Sequence, residues 1–257
     1  MKTKLTLFVA VLAVALFGVG CASVKITKQQ LQNGLVAYYP FHGNAMDGSG
    51  NENHGKVKGA TLAADRHGES NRAYFFDGDD EISASHKDYL NAMPISLSTW
   101  IKSIDDDGVQ GIVSKYQNAS WVGYGLYLMK GNVVTEYLTG HYTAKETGQI
   151  GGSSRAPSPS FKAIADGKWH QLVFTVNSTG GVLYVNGEEV DAKPWAGKPA
   201  LEKSRFPLTI GVRDDHRPAE RSTMHFKGSI DDIRIYNRAL SAKEVKALYD
   251  LEKPKTK

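Results

Sequence analysis

Apolar positions in this chain fall in short runs separated by turn residues, the spacing of strands rather than helices. Leu35-Val36-Ala37-Tyr38-Tyr39-Pro40-Phe41 leads into a turn-rich stretch, Gly43 to Asn53, and Ala73-Tyr74-Phe75-Phe76 closes on Asp77-Gly78. Leu97-Ser98-Thr99-Trp100-Ile101 reads as a strand with one buried face. Further runs cover residues 111–115, 124–129, 133–138, 169–176, 182–185, 208–212 and 230–236. Asn186-Gly187, between Leu183-Tyr184-Val185 and Glu188-Glu189-Val190, is a strong two-residue hairpin signal, because both turn positions need a positive φ. About ten to thirteen strands with short turns predict an all-β fold of two stacked antiparallel sheets.

One helix is legible. Ser241 and Glu244 form a capping box, and Val245, Leu248 and Tyr249 recur at helical spacing, predicting a helix over 242–251. Two segments carry no strand pattern. Residues 141–166 are rich in Gly, Ser, Pro and Lys, and a loop of that length is commonly functional or mobile. Arg213-Asp214-Asp215-His216-Arg217-Pro218-Ala219-Glu220-Arg221 is dense in charge of both signs.

The first residues follow a different plan. Lys2 and Lys4 precede an apolar run over 5–19 that is short for a membrane span, and small residues follow, as in a secretory signal. Cys21 is the sole cysteine, so no disulfide can form within the chain and the core must hold the fold. The expected organisation is a signal peptide over 1–20, a lipidated N-terminus and tether over 21–33, one β-domain over 34–252 and a tail over 253–257. The formal charge of +4 becomes +2 once Lys2 and Lys4 are removed, leaving 29 basic against 27 acidic residues. With no basic block of five, nucleic acid is not an expected partner.

Six separated landmarks then resemble a known family. Leu35 to Asn51 with Asn53-His54-Gly55 looks like the opening of a laminin-G-like, concanavalin A-like jelly-roll domain. Ala73 to Asp80, Trp100, Gly167-Lys168-Trp169-His170, Tyr184-Val185-Asn186-Gly187 and Gly228 to Ser241 fall in the family's order. The resemblance implies a two-sheet antiparallel jelly-roll sandwich with a short C-terminal helix, its first and last strands adjacent. It implies no single function, since relatives bind sugars or proteins or accompany enzymes. Gly20-Cys21 similarly resembles a bacterial lipoprotein cleavage box, with Gly18 where that box usually carries leucine. That resemblance implies an extracytoplasmic protein, lipid-anchored at Cys21 in the cell envelope.

Chemistry is sparse. A retaining glycosidase needs two carboxylates about 5–5.5 Å apart, supplied in related folds by Glu-x-Asp-x-Glu on one strand, and that spacing is missing. Gly-x-Ser-x-Gly, His-Glu-x-x-His and a phosphate-binding loop are missing too, so no enzyme is expected. Calcium suits the oxygens of Gly43, Asn44 and Asp47, with Asp232 from the last strand; the alternative is a plain turn in which Asp47 caps its own backbone. The resemblance implies a structural calcium at that edge. Asp105-Asp106-Asp107-Gly108 lacks EF-hand spacing and reads as a solvated turn.

Sugars are gripped by aromatic faces beside polar groups. Trp100 and Trp169 lie in strand patterns and are expected in the core. Trp121, Tyr124, Tyr142 and Trp195 border turns or loops; with Arg213, Asp215 and Arg217 they form the expected ligand surface, the alternative being loop aromatics folded over a core edge. The functional expectation is a non-catalytic, surface-anchored module recognising carbohydrate or another extracellular polymer. The alternative is a cell-envelope structural or adhesion protein with a protein partner.

Overall fold

The computed structural model describes residues 26–117, 122–139, 148–151, 164–194, 203–213 and 224–255. Among the described residues, fifteen strands, numbered along the chain, form two antiparallel sheets. The first sheet runs β13 (Glu188–Pro194), β12 (Gly180–Val185), β11 (His170–Asn177), β6 (Ile95–Lys102), β15 (Lys227–Tyr236), β4 (Ala73–Asp77) and β3 (Thr61–Ala63), with β1 (Leu35–Tyr39) on the second half of β15. The other runs β10 (Gly148–Gly151), β9 (Asn132–Thr139), β8 (Val122–Met129), β7 (Val109–Gln117), β14 (Leu208–Ile210), β5 (Glu81–Ala84) and β2 (Lys56–Lys58). The first and last strands are neighbours, with Ala37 opposite Ile235 and Tyr38 opposite Arg234. This is the jelly-roll sandwich that the landmarks imply. Asn186 and Gly187, at φ +54° and +78°, make the hairpin turn between β12 and β13.

Leu97, Phe174 and Ile233 face Ile82, Leu126 and Ile210 across the layers, all essentially inaccessible to water. Each such side chain stabilises the fold by roughly 1.5–3 kcal/mol through area removed from water. Helix α2 (Ala242–Glu252) starts on the expected capping box: the Ser241 hydroxyl accepts from the Glu244 N–H, and the Glu244 carboxylate accepts from the Ser241 N–H at 2.9 Å. Its Val245 and Leu248 cover the outer face of the first sheet, with Val245 packed beside Val173, Tyr184 and Tyr236. Strand β6 is therefore buried on both faces, not one as its pattern predicts.

Beneath α2 lies a charged network. A bulge in β15, with Asp232 at φ +48°, breaks the strand's alternation so that Asp231 and Asp232 both meet Arg66. Arg66 contacts Asp231 at 2.5 Å and Asp232 at 2.7 Å, donates to the Glu252 carbonyl at 2.7 Å, and lies 5.0 Å over the Trp100 ring. The Trp100 indole N–H donates to Glu252 at 2.9 Å and its ring stacks on Tyr249. Arg234 pairs with both Asp232 and Glu252. Trp100 is thus core, as expected, and it anchors the C-terminal helix.

Four expectations change. Trp169 is only half-buried, with the Lys102 ammonium over its ring at 5.6 Å, because it precedes β11 instead of lying inside it. The tether is not featureless: α1 (Lys28–Gln32) carries its own capping box, buries Leu31 and is held by Arg238, which donates to the carbonyls of Gln30 and Asn33. Strand β10 falls inside the segment that lacks strand pattern, paired to β9 through backbone groups that any sequence supplies. The short strands β2 and β3 lie at sheet edges, where exposed positions leave little apolar signal, and β5, between β14 and β2, buries only Ile82 and Ala84.

Candidate functional site

The expected ligand surface divides. Trp121, Tyr142, Trp195, Asp215 and Arg217, and Cys21 with the signal segment, lie outside the described residues. Tyr124 and Arg213 are described, and they sit on opposite faces of the second sheet. Tyr124 points between the layers and is buried, since it shares strand parity with Leu126 and Leu128 of the core. Arg213 lies on the outer face with Tyr127: its guanidinium covers the Tyr116 and Tyr127 rings at 4.7 and 5.1 Å and donates to Glu136 at 2.8 and 2.9 Å. That clamp occupies Arg213 within the fold. One continuous surface through Tyr124 and Arg213 is therefore not formed.

The expected calcium ligands are also separated and engaged. Asp47 Oδ1 accepts from the N–H of Tyr38 and Ser49, and Oδ2 accepts from the Asn53 N–H, the Asn53 amide and the Ser49 hydroxyl, all within 3.1 Å. Burial pushes this carboxyl up, but those backbone donors hold it below its ordinary range. Asn44 accepts from Met46 N–H at 2.9 Å, and the Gly43 N–H donates to Asn71. Asp232 meets the Tyr38 hydroxyl at 2.7 Å and both arginines. Asp47 and Asp232 thus contact opposite ends of Tyr38, and each charge is already satisfied. The turn reading of Asp47 describes this geometry. A different acidic group, Asp77, Asp79 and Asp80, brings one oxygen from each to within 4.8 Å in an exposed turn.

A pocket of about 450 Å³ opens between the layers at one end of the sandwich. Its walls include Asp88 and Asn91 from a 3₁₀ turn (Asp88–Asn91), Met93, Tyr124 from β8, Tyr137 from β9 and Ser204 before β14. Lys115, Tyr124 and Tyr137 stand directly abreast across β7, β8 and β9. The Lys115 ammonium donates to the Ser204 carbonyl at 3.3 Å and the Phe206 carbonyl at 2.6 Å, and meets His86 Nδ1 at 2.9 Å. Burial pulls this lysine down to about 8. The Asn91 amide also donates to the Ser204 carbonyl, at 3.0 Å, so one strand-end carbonyl is fixed from two sides.

Two buried polar atoms in this wall have no partner: Asn91 Oδ1 and the Tyr124 hydroxyl. Asn91 is 8% exposed and Tyr124 is 1% exposed. Leaving such a group unpaired costs about 1–3 kcal/mol each, and both atoms are closed off from solvent. Burial drives the Tyr124 phenol well above its ordinary range, with Tyr39 and Tyr137 adding to the effect, and burial raises Tyr137 to about 12. Both phenols are neutral hydroxyls at any physiological pH. Asn91 was missed by the sequence reading because it lies between strand runs. Tyr137 was read as a strand residue, and only the β8–β9 register shows that it stands beside Tyr124.

Comparisons with known proteins agree with this architecture. A family model for the concanavalin A-like lectin/glucanases superfamily matches residues 76–246. A rat protein, sushi, von Willebrand factor type A, EGF and pentraxin domain-containing protein 1, is 27% identical over 158 residues, which are 55% of this chain and 4% of that protein. Among solved structures, the binding domain of Paraclostridial Mosquitocidal Protein 1 superposes with a TM-score of 0.67 at 22% identity, over 86% of this chain and 53% of that one. Domain 4 of AbnA, an extracellular arabinanase from Geobacillus stearothermophilus solved with arabinotriose, gives 0.59 at 23% identity, over 84% and 98%. The chain thus spans a small fraction of the rat protein and about half of the toxin binding domain. At these identities the structural likeness is one of fold. The family match covers more than half of the sequence, and the chain belongs to the concanavalin A-like lectin/glucanases superfamily.

Proposed function

We propose that this chain is a non-catalytic glycan-binding module, held outside the cytoplasm by a lipid on Cys21. The observation that carries the reading is the end pocket, where Tyr89, Tyr124 and Tyr137 line a cleft together with the polar side chains of Asp88, Lys203 and Asn237. Rings offer a face to sugar C–H groups, and polar side chains beside them hydrogen-bond sugar hydroxyls. The size of the pocket falls in the ordinary range for small-ligand sites. The arabinotriose complex of AbnA domain 4, a whole domain of this fold, supports the same class of ligand. Asp231 and Asp232, neighbouring acids under α2, are taken up by Arg66 and Arg234 and so are poorly placed to serve as acid and nucleophile. A glycan array probed with the soluble domain tests the reading. Saturable binding to a defined glycan without turnover is expected; binding to none would favour the protein-partner alternative, and release of reducing ends would establish an enzyme.

A further inference from the structure

We infer that the face carrying α1 and α2 lies against the membrane that holds the Cys21 lipid, docked on anionic phospholipid headgroups. The inference rests on the lipid-anchor part of the proposed function and goes further by naming the surface that meets the bilayer. Reach is limited. Helix α1 is fixed to the domain, since Leu31 is buried and Arg238 donates to the Gln30 carbonyl at 3.1 Å and the Asn33 carbonyl at 2.7 Å. Only Ala22 to Thr27, six residues, separate the lipidated cysteine from α1, a reach of at most about 20–25 Å. Lys28 and Leu31 of α1 share one groove with Leu248 and Leu251 of α2, so both helices stay close to the anchor.

Charge then selects the partner. Helix α2 turns Lys243, Lys246, Asp250 and Lys253 to solvent as one stripe, and Lys246 and Lys253 share the Asp250 carboxylate. The other acids of α2, Glu244 and Glu252, are taken by Arg238 and Arg234. Lys28, Lys243 and Lys255 are exposed and have no acidic partner among the described residues. Five lysines thus face one free carboxylate here, whereas the rest of the chain from Cys21 onward has 24 basic and 26 acidic residues. Lys243 stands in the first turn of α2, where the helix dipole disfavours a cation, so the helix itself does not explain it. Leu251, 50% exposed at the rim of the groove, adds an apolar contact at headgroup level. Each lysine near an anionic surface strengthens the attraction about fivefold. That attraction fades within about 8 Å at physiological salt, so the short reach of the anchor is what makes it effective.

The test uses the full acylated chain in vesicles of phosphatidylglycerol with phosphatidylethanolamine, or of phosphatidylcholine alone. Lysines are pulse-labelled with a water-soluble acylating reagent and read by peptide mass spectrometry, which also weighs the Cys21 peptide. On the anionic vesicles, labelling of Lys28, Lys243, Lys246 and Lys253 is expected to fall about fivefold below its level on phosphatidylcholine. The exposed Lys56 of β2 and Lys130 of the β8–β9 turn, both on the second sheet, are expected to label equally on the two. The fall is expected to vanish in about 1 M salt, where screening acts within about 3 Å; this arm needs no variant. Lys243→Glu with Lys246→Glu is expected to return Lys28 and Lys253 to full labelling. Equal labelling on both vesicles with an acylated Cys21 would overturn the docked face and leave the anchor standing. Protection that ignores lipid charge would point to a second copy of the chain over this face and would also overturn it. Protection of Lys56 or Lys130 instead would put another face on the bilayer. An unmodified Cys21 would remove the anchor reading and this inference with it.

Discussion

Replacing Arg66 by methionine removes a guanidinium that is buried under α2 with 6% of its side chain exposed. Three partners lose it at once. Asp231 forfeits its ion-pair contact at 2.5 Å, and its other oxygen already has no hydrogen-bond partner. Asp232 keeps Arg234 and the Tyr38 hydroxyl, and the Glu252 carbonyl loses a donor at 2.7 Å. Removing one member of a buried ion pair costs about 3–5 kcal/mol, mostly the penalty of the stranded charge. The methionine recovers part of the packing against Trp100, so the lower half of that range, about 3–4 kcal/mol, is expected. A domain's whole stability is about 5–15 kcal/mol, so the loss is large. Urea unfolding at about pH 9, above the Asp231 carboxyl at about 8 so that the pair is ionised, followed by tryptophan fluorescence, measures it as a shift in midpoint at unchanged slope. The double variant Arg66→Met with Asp231→Asn is expected to recover about 1 kcal/mol or more, because it removes the stranded charge. A loss below about 1 kcal/mol for the single variant would refute the clasp, and no recovery in the double would refute the role of charge in it.

The same network sets a pH dependence. Burial, reinforced by Asp232, pushes the Asp231 carboxyl up to about 8, so the folded chain holds a proton that the unfolded chain releases near pH 4. Stability from this group is full below about pH 4 and is lost as pH rises towards 8; Asp231→Asn is expected to flatten that decline in urea midpoints, and an unchanged slope would contradict it. Gly211 sits at φ +81° with the place of a Cβ 2.2 Å from the Phe76 ring, so Gly211→Ala is expected to cost about 2 kcal/mol or more, read as a fall in melting temperature. A calcium chelator is expected to leave melting temperature unchanged, since internal donors satisfy Asp47 and two arginines neutralise Asp232; stabilisation by added calcium that Asp47→Asn abolishes would reverse this.

What was legible in the chain was what depends on local patterning. The strand runs, the Asn186-Gly187 turn and the Ser241–Glu244 box each sit in a few consecutive residues, and the structure repeats them. The adjacency of β1 and β15 came from the family landmarks, not from any local signal. Features that depend on register stayed hidden. The bulge at Asp232 turns a supposed metal ligand into an arginine partner, because one extra residue changes which face a side chain takes. Tyr124 is a loop-edge aromatic in sequence and an interior residue in space, because strand parity, not proximity to a turn, decides its face. Asn91 gave no signal at all, since an unpaired oxygen is defined by what surrounds it.

Chemical-shift mapping of the soluble domain with a saccharide that it binds tests the central claim most directly. Shifts clustered on Tyr89, Asn91, Gly123, Tyr137 and Ser204 are the predicted result. Shifts centred instead on Arg213, Tyr116 and Tyr127 of the opposite face would contradict it.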